Sequence, residues 1–242
     1  MMTPVILVTG GALRLGARIV RTVHAAGYRV VVHCHQSAGE AHALAAELNA
    51  LRTDSAACLA ADLREPSSVA TLVAEAAARW GRLDGLVNNA SVFRPTPVDS
   101  ASLADWSELL DVNLRAPFLL SQAAYPHLRE RQGCIVNLTD IYATRPKPGF
   151  AIYSSAKAGL LGLTRSLALE FAPLVRVNAV APGAILWPDA GDKNEQARLL
   201  ARIPLARQGE PADIAQAVLY LLQAPYVTGQ EIAVDGGRSA SG

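Results

Sequence analysis

The chain has 242 residues, 51 % of them apolar, with 22 basic and 21 acidic side chains and a net charge of +1. That length suits one large domain with its own core, and a near-neutral charge without basic or acidic runs excludes a nucleic-acid or membrane-surface binder. No apolar run nears the roughly 20 residues that span a bilayer and no signal peptide is visible. Three cysteines without a CxxC spacing (Cys34, Cys58, Cys134) read as buried thiols in a reducing compartment, so a cytoplasmic protein is expected.

Val5 to Val8 is all apolar and ends in Thr9-Gly10-Gly11, which predicts a buried parallel strand. Ala12 to Ala26 carries Leu15, Ile19 and Val23 at helical spacing and closes on Gly27. A strand over Arg29 to His33, a helix over Ala38 to Leu51 and a strand over Ala56 to Ala60 follow, then Asp62 and a helix from Pro66 to Trp80. A fourth strand, Gly85 to Val87, leads into Asn88-Asn89-Ala90 and a loop punctuated by Pro95 and Pro97. Ser102 to Arg131 reads as helix broken near Asn113. Cys134 to Leu138 is a fifth strand, and a long helix runs from Tyr153 to Phe171. Val175 to Val180 is a sixth strand, ending at Pro182-Gly183. The span 185–207 fits no single element; its polar stretch from Asp189 to Asn194 reads as a mobile loop over the substrate. Pro211 to Leu222 is helical and Glu231 to Val234 a last strand.

Strands alternating with helices predict an α/β fold, a doubly wound parallel sheet of about seven strands with helices on both faces. No linker or repeat divides residues 1–242, so a single Rossmann-type domain is expected. Ligands on such sheets lie outside the carboxyl ends of the strands. That rule selects Thr9 to Gly16, His33 to Ser37, Asp62, Asn88 to Phe93, Leu138 to Asp140 and Pro182-Gly183.

These segments carry the chemistry. The glycines of Thr9-Gly10-Gly11-Ala12-Leu13-Arg14-Leu15-Gly16 allow a tight turn, and the helix that follows favours a pyrophosphate. Arg14 stands where such turns commonly have glycine. After the second strand, His33-Cys34-His35-Gln36-Ser37 contains no carboxylate to repel a 2′-phosphate, which favours NADPH. The five scattered histidines form no metal-ligand pattern. Tyr153 and Lys157 lie four residues apart on one helical face, where an ammonium can stabilise a phenolate. Such a pair is an acid/base device or, alone, an ordinary surface pair.

Taken together, Thr9 to Gly16, Asp62, Asn88-Asn89-Ala90, Asn113, Tyr153 to Lys157, Pro182-Gly183 and the ending Thr228-Gly229-Gln230…Val234-Asp235-Gly236-Gly237 resemble the short-chain dehydrogenase/reductase family over nearly the whole length. The resemblance implies that Tyr153 is the acid/base, that Lys157 holds the nicotinamide ribose and lowers the tyrosine pKa, and that Asn113 ties a water chain to Lys157. It implies cofactor contacts from Gly10, Arg14, Leu15, His33, His35, Gln36, Ser37, Asp62, Leu63, Asn89, Ala90, Pro182 and Gly183. Asp62 is expected at the adenine. A homotetramer is also implied.

The chain departs from the general family pattern at three places. Asp140 stands thirteen residues before the tyrosine, where a serine is usual. Arg14 replaces a glycine, and Asn-Asn-Ala continues as Ser91-Val92-Phe93. These features look like the pteridine reductase branch, which pairs an aspartate with the tyrosine and lysine. Gln36 departs from that branch, which usually has arginine there. A carboxylate beside the tyrosine would repel a developing alkoxide but could relay protons to a ring nitrogen, and Phe93 could stack on a flat ring. Thr139, one residue off the serine position, would face the other way on a strand. The expected substrate is a small pterin, dihydrobiopterin or dihydromonapterin in type and perhaps dihydrofolate, held by Arg14, Ser91, Phe93, Asp140, Tyr153 and Trp187. Two alternatives stand beside it: a carbonyl reductase with an atypical aspartate, and a protein that binds NADPH without chemistry.

Overall fold

The computed structural model describes residues 3–186 and 193–241. Its seven strands are β1 (Val5–Val8), β2 (Arg29–Cys34), β3 (Ala56–Ala60), β4 (Gly85–Asn88), β5 (Cys134–Leu138), β6 (Arg176–Pro182) and β7 (Glu231–Val234). They form one sheet in the order β3-β2-β1-β4-β5-β6-β7, with every neighbouring pair parallel. The helices are α1 (Arg14–Ala25), α2 (Ala38–Leu51), α3 (Pro66–Ala78), α4 (Leu103–Leu110), α5 (Ala116–Arg129), α6 (Ala151–Phe171), α7 (Lys193–Leu200) and α8 (Pro211–Gln223).

The strands are mostly apolar because both faces of the sheet are covered. Ile6 and Val8 of β1 pack with α1, α2 and α8 in one core. Val5 and Leu7, the alternate residues, pack with α3, α5 and α6 in the other. All four are at most 1 % exposed. A run that would alternate on a half-exposed strand is therefore continuous here.

Several element ends differ from expectation. α1 begins at Arg14, because Gly10 at φ 59 and Arg14 at φ 51 keep the preceding turn out of the helix. β2 extends to Cys34, and β6 lies a residue or two further along than predicted. The expected break near Asn113 is a single π-turn, Asp111–Arg115, set between α4 and α5, with the Ala116 N–H donating to Asp111 O. A 3₁₀ turn, Ile141–Ala143, follows β5. α7 was not foreseen; its run Lys193–Leu200 is polar and offered no apolar stripe. Trp187 and the stretch 189–192 expected as loop lie outside the described residues.

The strand order reverses between β1 and β4, which opens a crevice at their carboxyl ends. The functional side chains collect there.

Candidate active site

The first turn is built by hydrogen bonds around Thr9. Its hydroxyl accepts from the backbone N–H of Asn89 (2.9 Å) and Ala90 (3.0 Å) and donates to Val87 O (3.3 Å). The Asn89 amide donates to Thr9 O and Gly10 O at 2.8 and 3.0 Å. A Cβ at Gly16 would lie 2.0 Å from Gly10 O, so only glycine lets the helix close on the turn.

His33 completes this scaffold. Its Nδ1 accepts from the Gly10 N–H at 3.1 Å and its Nε2 faces Ala61 O at 3.1 Å. Burial holds its pKa down at about 4, against a weaker opposing pull from the Ala61 carbonyl. The ring is thus neutral with its proton on Nε2. Both nitrogens are engaged and the side chain is 2 % exposed. His33, expected as a cofactor contact, lines the cleft and braces the glycine turn against the β3 end; with both nitrogens engaged, its ring surface is what it offers the cleft.

α1 presents a free N-terminus to the crevice. Leu13 supplies no side-chain cap and the first turn has no acid. Its leading N–H groups are unclaimed by side chains, which suits a pyrophosphate. The residues therefore fit a dinucleotide. A cleft of about 1010 Å³ runs from His35, Gln36, Asp62 and Arg64 at one end to Phe93, Tyr153 and Arg238 at the other. Arg64 grips Asp62 in a two-pronged ion pair (Nη2–Oδ2 2.6 Å, Nε–Oδ1 3.0 Å), which together with desolvation acting the other way leaves the carboxyl at about 2.

The reactive group lies past β5. Asp140 Oδ1 accepts from the Tyr142 N–H at 2.9 Å, capping the 3₁₀ turn, and Oδ2 accepts from the Tyr153 hydroxyl at 2.8 Å. The cap and the tyrosine partner are thus one carboxylate. Lys157 is buried at 2 % exposure and donates to Leu138 O at 2.7 Å, with Nζ 5.7 Å from the Tyr153 ring centre. Burial raises the Asp140 pKa and lowers that of Lys157 to about 8, and their mutual attraction partly opposes both shifts. Tyr153 is pushed well above 10, by burial first and by Asp140 second, with a smaller opposing effect of Ser91. The phenol donates directly to Asp140 while Lys157 Nζ stands further off, so the nearer charge is negative and opposes the lowering expected from Lys157. The phenol keeps its proton and points it at Asp140.

Phe93 stacks on Phe150 (ring centres 4.7 Å, 17°) and meets Tyr153 edge-on (4.8 Å, 75°), yet remains 53 % exposed. One aromatic face is thus open to the cleft. Thr139 turns away, its hydroxyl against Val180 O (3.0 Å) and Glu231 Oε1 (2.6 Å); it cannot replace the missing serine.

Most of the foreseen residues line the cleft, Gly10, Arg14, Leu15, His35, Gln36, Asp62, Leu63, Asn89, Ala90, Ser91, Phe93, Asp140, Tyr153, Lys157, Pro182 and Gly183 among them. Ser37 does not; it precedes α2. Asn113 is fully buried behind the cleft. Its side-chain oxygen accepts from Ser91 Oγ (2.7 Å), and its amide donates to Val92 O and Leu109 O, both at 2.9 Å. Both of its amide hydrogens are thus used. Among the cleft residues not foreseen are Arg64, Lys147, Phe150 and Arg238. Phe150 carried a signal, standing one helical turn before Tyr153; the others lay in loops without periodicity. Among the described residues no cluster of His, Cys, Asp and Glu could hold a metal, and no helix is long and apolar enough to cross a membrane.

Residues 11–239 match the family model described as enoyl-(acyl carrier protein) reductase. The chain is 38 % identical over 242 residues to the 3-oxoacyl-(acyl-carrier-protein) reductase FabG of Staphylococcus aureus, covering 98 % of both chains. It is equally 38 % identical, over 278 aligned residues, to pteridine reductase 1 of Leishmania tarentolae, covering 98 % of this chain and 96 % of that one. A 3-oxoacyl-(acyl-carrier-protein) reductase of Synechocystis is 37 % identical over 238 residues, 96 % of each chain.

Proposed function

The chain belongs to the short-chain dehydrogenase/reductase family and is an oxidoreductase using a nicotinamide cofactor, and within that family we propose that it is an NADPH-dependent pteridine reductase. The observation that carries this reading is the 2.8 Å hydrogen bond from Tyr153 to Asp140. In a ketone reduction the carboxylate would face a growing alkoxide and destabilise it. In reduction of a ring C=N bond no alkoxide forms. A ring nitrogen becomes basic and takes a proton.

The nicotinamide, when bound, supplies the hydride. Tyr153 then offers its proton to the adjacent ring nitrogen, and Asp140, hydrogen-bonded to the phenolic oxygen and with its pKa raised by burial, is placed to take up a proton from solvent as the phenolate forms and pass it to that oxygen. Lys157, charged below about pH 8, stabilises that phenolate and holds the ribose. Phe93 presents its open face to the pterin. Arg14 and Ser91 are placed at its polar edge. The fully reduced pterin leaves as product.

A second reading, a 3-oxoacyl or ketone reductase, is favoured by the relatives of that activity. The decisive assay follows NADPH oxidation with dihydrobiopterin, dihydromonapterin and dihydrofolate beside acetoacetyl thioesters and simple ketones. Turnover of pterins with little of ketones supports the proposal; ketone turnover without pterin activity refutes it. Asp140→Ser sharpens the choice. It should abolish pterin reduction; a gain of ketone activity without loss of pterin activity would remove the aspartate from the mechanism.

The proposal extends to assembly. Trp106, Leu110, Leu114, Phe118 and Leu163 line an apolar trough on the faces of α4, α5 and α6, and Leu103 of α4 and Leu169 of α6 are more than 80 % exposed. This face suits a second copy of the chain within a homotetramer.

A further inference from the structure

The adenosine end of the cleft poses an electrostatic problem. Gln36 provides no charge there, and Asp62 would repel a 2′-phosphate. Arg64 answers it. Its Nε and Nη2 engage both Asp62 oxygens at 2.6–3.1 Å, and its own backbone N–H donates to Asp62 Oδ1 at 2.9 Å. Its carbonyl is held by Arg115 Nη2 at 2.7 Å, and Arg115 is anchored in turn on Asp111 at 2.9 Å. The guanidinium is thus oriented from two sides. Nη1 makes no hydrogen bond among the described residues, and the side chain is 46 % exposed. His35 Nε2 stands 3.6 Å from the same Asp62 carboxylate. Of the other cleft arginines, Arg14 opens α1 on the glycine turn, Arg94 is held by Asp105 (2.6 Å) and Glu108 (2.7 Å), and Arg238 lies over the Tyr142 ring.

We propose that Arg64 is the residue that selects the 2′-phosphate of the cofactor, with Asp62 as the positioning residue that presents it. Asp62 takes one edge of the planar fork and leaves the opposite edge for a phosphate, a geometry an ammonium could not reproduce. The cation lies two residues past Asp62 on the β3–α3 loop instead of at the end of β2. The inference rests on the NADPH reading above.

The test is calorimetric titration of the cofactor-free protein with adenosine 2′,5′-bisphosphate and adenosine 5′-phosphate, which needs no turnover. Wild type should bind the bisphosphate more tightly. Arg64→Gln should weaken the bisphosphate about tenfold or more while changing the monophosphate less than twofold. Arg64→Lys should recover only part of the loss, and Gln36→Arg placed on Arg64→Gln should restore preference. If wild type shows no preference for the 2′-phosphate, the NADPH reading itself fails. If wild type prefers it and Arg64→Gln weakens both ligands equally, or neither, Arg64 is not the selector. Arg64 is exposed, so its variants should keep the wild-type melting temperature; a large drop would assign it a structural role and refute the proposal.

Discussion

Replacing Arg14 with glycine should give a protein that is more stable and less active. Arg14 holds φ 51, in the left-handed region that costs a residue with a Cβ about 1–2 kcal/mol. Its side chain is exposed and makes no hydrogen bond or ion pair among the described residues, so glycine sacrifices no contact. Glycine does add freedom to the unfolded chain, a cost of about 0.4–1 kcal/mol. The balance is a gain of roughly 0.5–1 kcal/mol, which for a chain of this size raises the melting temperature by about 1–4 °C. Activity should move the other way. If the guanidinium binds the cofactor phosphate or the pterin, losing one charged hydrogen bond worth about 1.5–3 kcal/mol lowers kcat/KM by about 10- to 150-fold. Arg14→Ala separates the two effects, because alanine keeps the strain and removes the charge. It should lose the same activity without gaining stability. Calorimetric melting and steady-state pterin reduction on the three proteins suffice. A lower melting temperature for Arg14→Gly, or unchanged kcat/KM in both variants, would refute the reasoning.

Lys157 should lose its charge near pH 8, so kcat/KM should fall above that pH. Because its folded pKa lies below the unfolded 10.5, the unfolded chain binds the proton more tightly from about pH 8 to 10.5, and the lysine's contribution to stability rises with pH in that window; Lys157→Met should remove both trends. His33 acts in the acid range. Held at about 4 against 6.5 unfolded, it costs about 3 kcal/mol of stability as pH falls from 7 to 4, and urea unfolding of wild type beside His33→Gln should show the variant losing that much less. Gly16→Ala should destabilise by about 1–3 kcal/mol and abolish NADPH binding, since its Cβ would strike Gly10 O at 2.0 Å; retained binding would show that the turn can open. Light scattering should report a tetramer, and a monomer would overturn the assembly proposed for the α4–α6 face.

The sheet was legible because burial on both faces leaves an unmistakable sign: Val5 to Val8 is short, apolar and bounded by turns, and Cys134 to Leu138 is so apart from Asn137. The Asp140–Tyr153 pair was legible because strand ends converge at a switch point, so residues distant in sequence share one crevice. What escaped detection depended on geometry that spacing does not encode. His33 is a histidine at a strand end, and only the positions of Gly10 and Ala61 reveal that both its nitrogens are used. The π-turn adds one residue to a helix without changing its composition. Arg64 reads as a solvated loop residue until Asp62 is seen to orient it. The downward pull of Lys157 on Tyr153 was expected from their spacing on α6, yet Asp140, thirteen residues away in sequence, is the nearer charge.

The Phe150–Phe93–Tyr153 arrangement has a consequence for selectivity. Immobilising a free aromatic side chain on binding costs about 0.5–1.5 kcal/mol. Phe93 is already stacked on Phe150 and in a T-shaped contact with Tyr153, so that ordering is incurred when the chain folds. Only ligands broad and flat enough to cover the remaining face collect the full benefit. A flexible acyl chain would leave much of that face wet. If the pterin proposal holds, the wall ranks substrates by planarity before any proton moves.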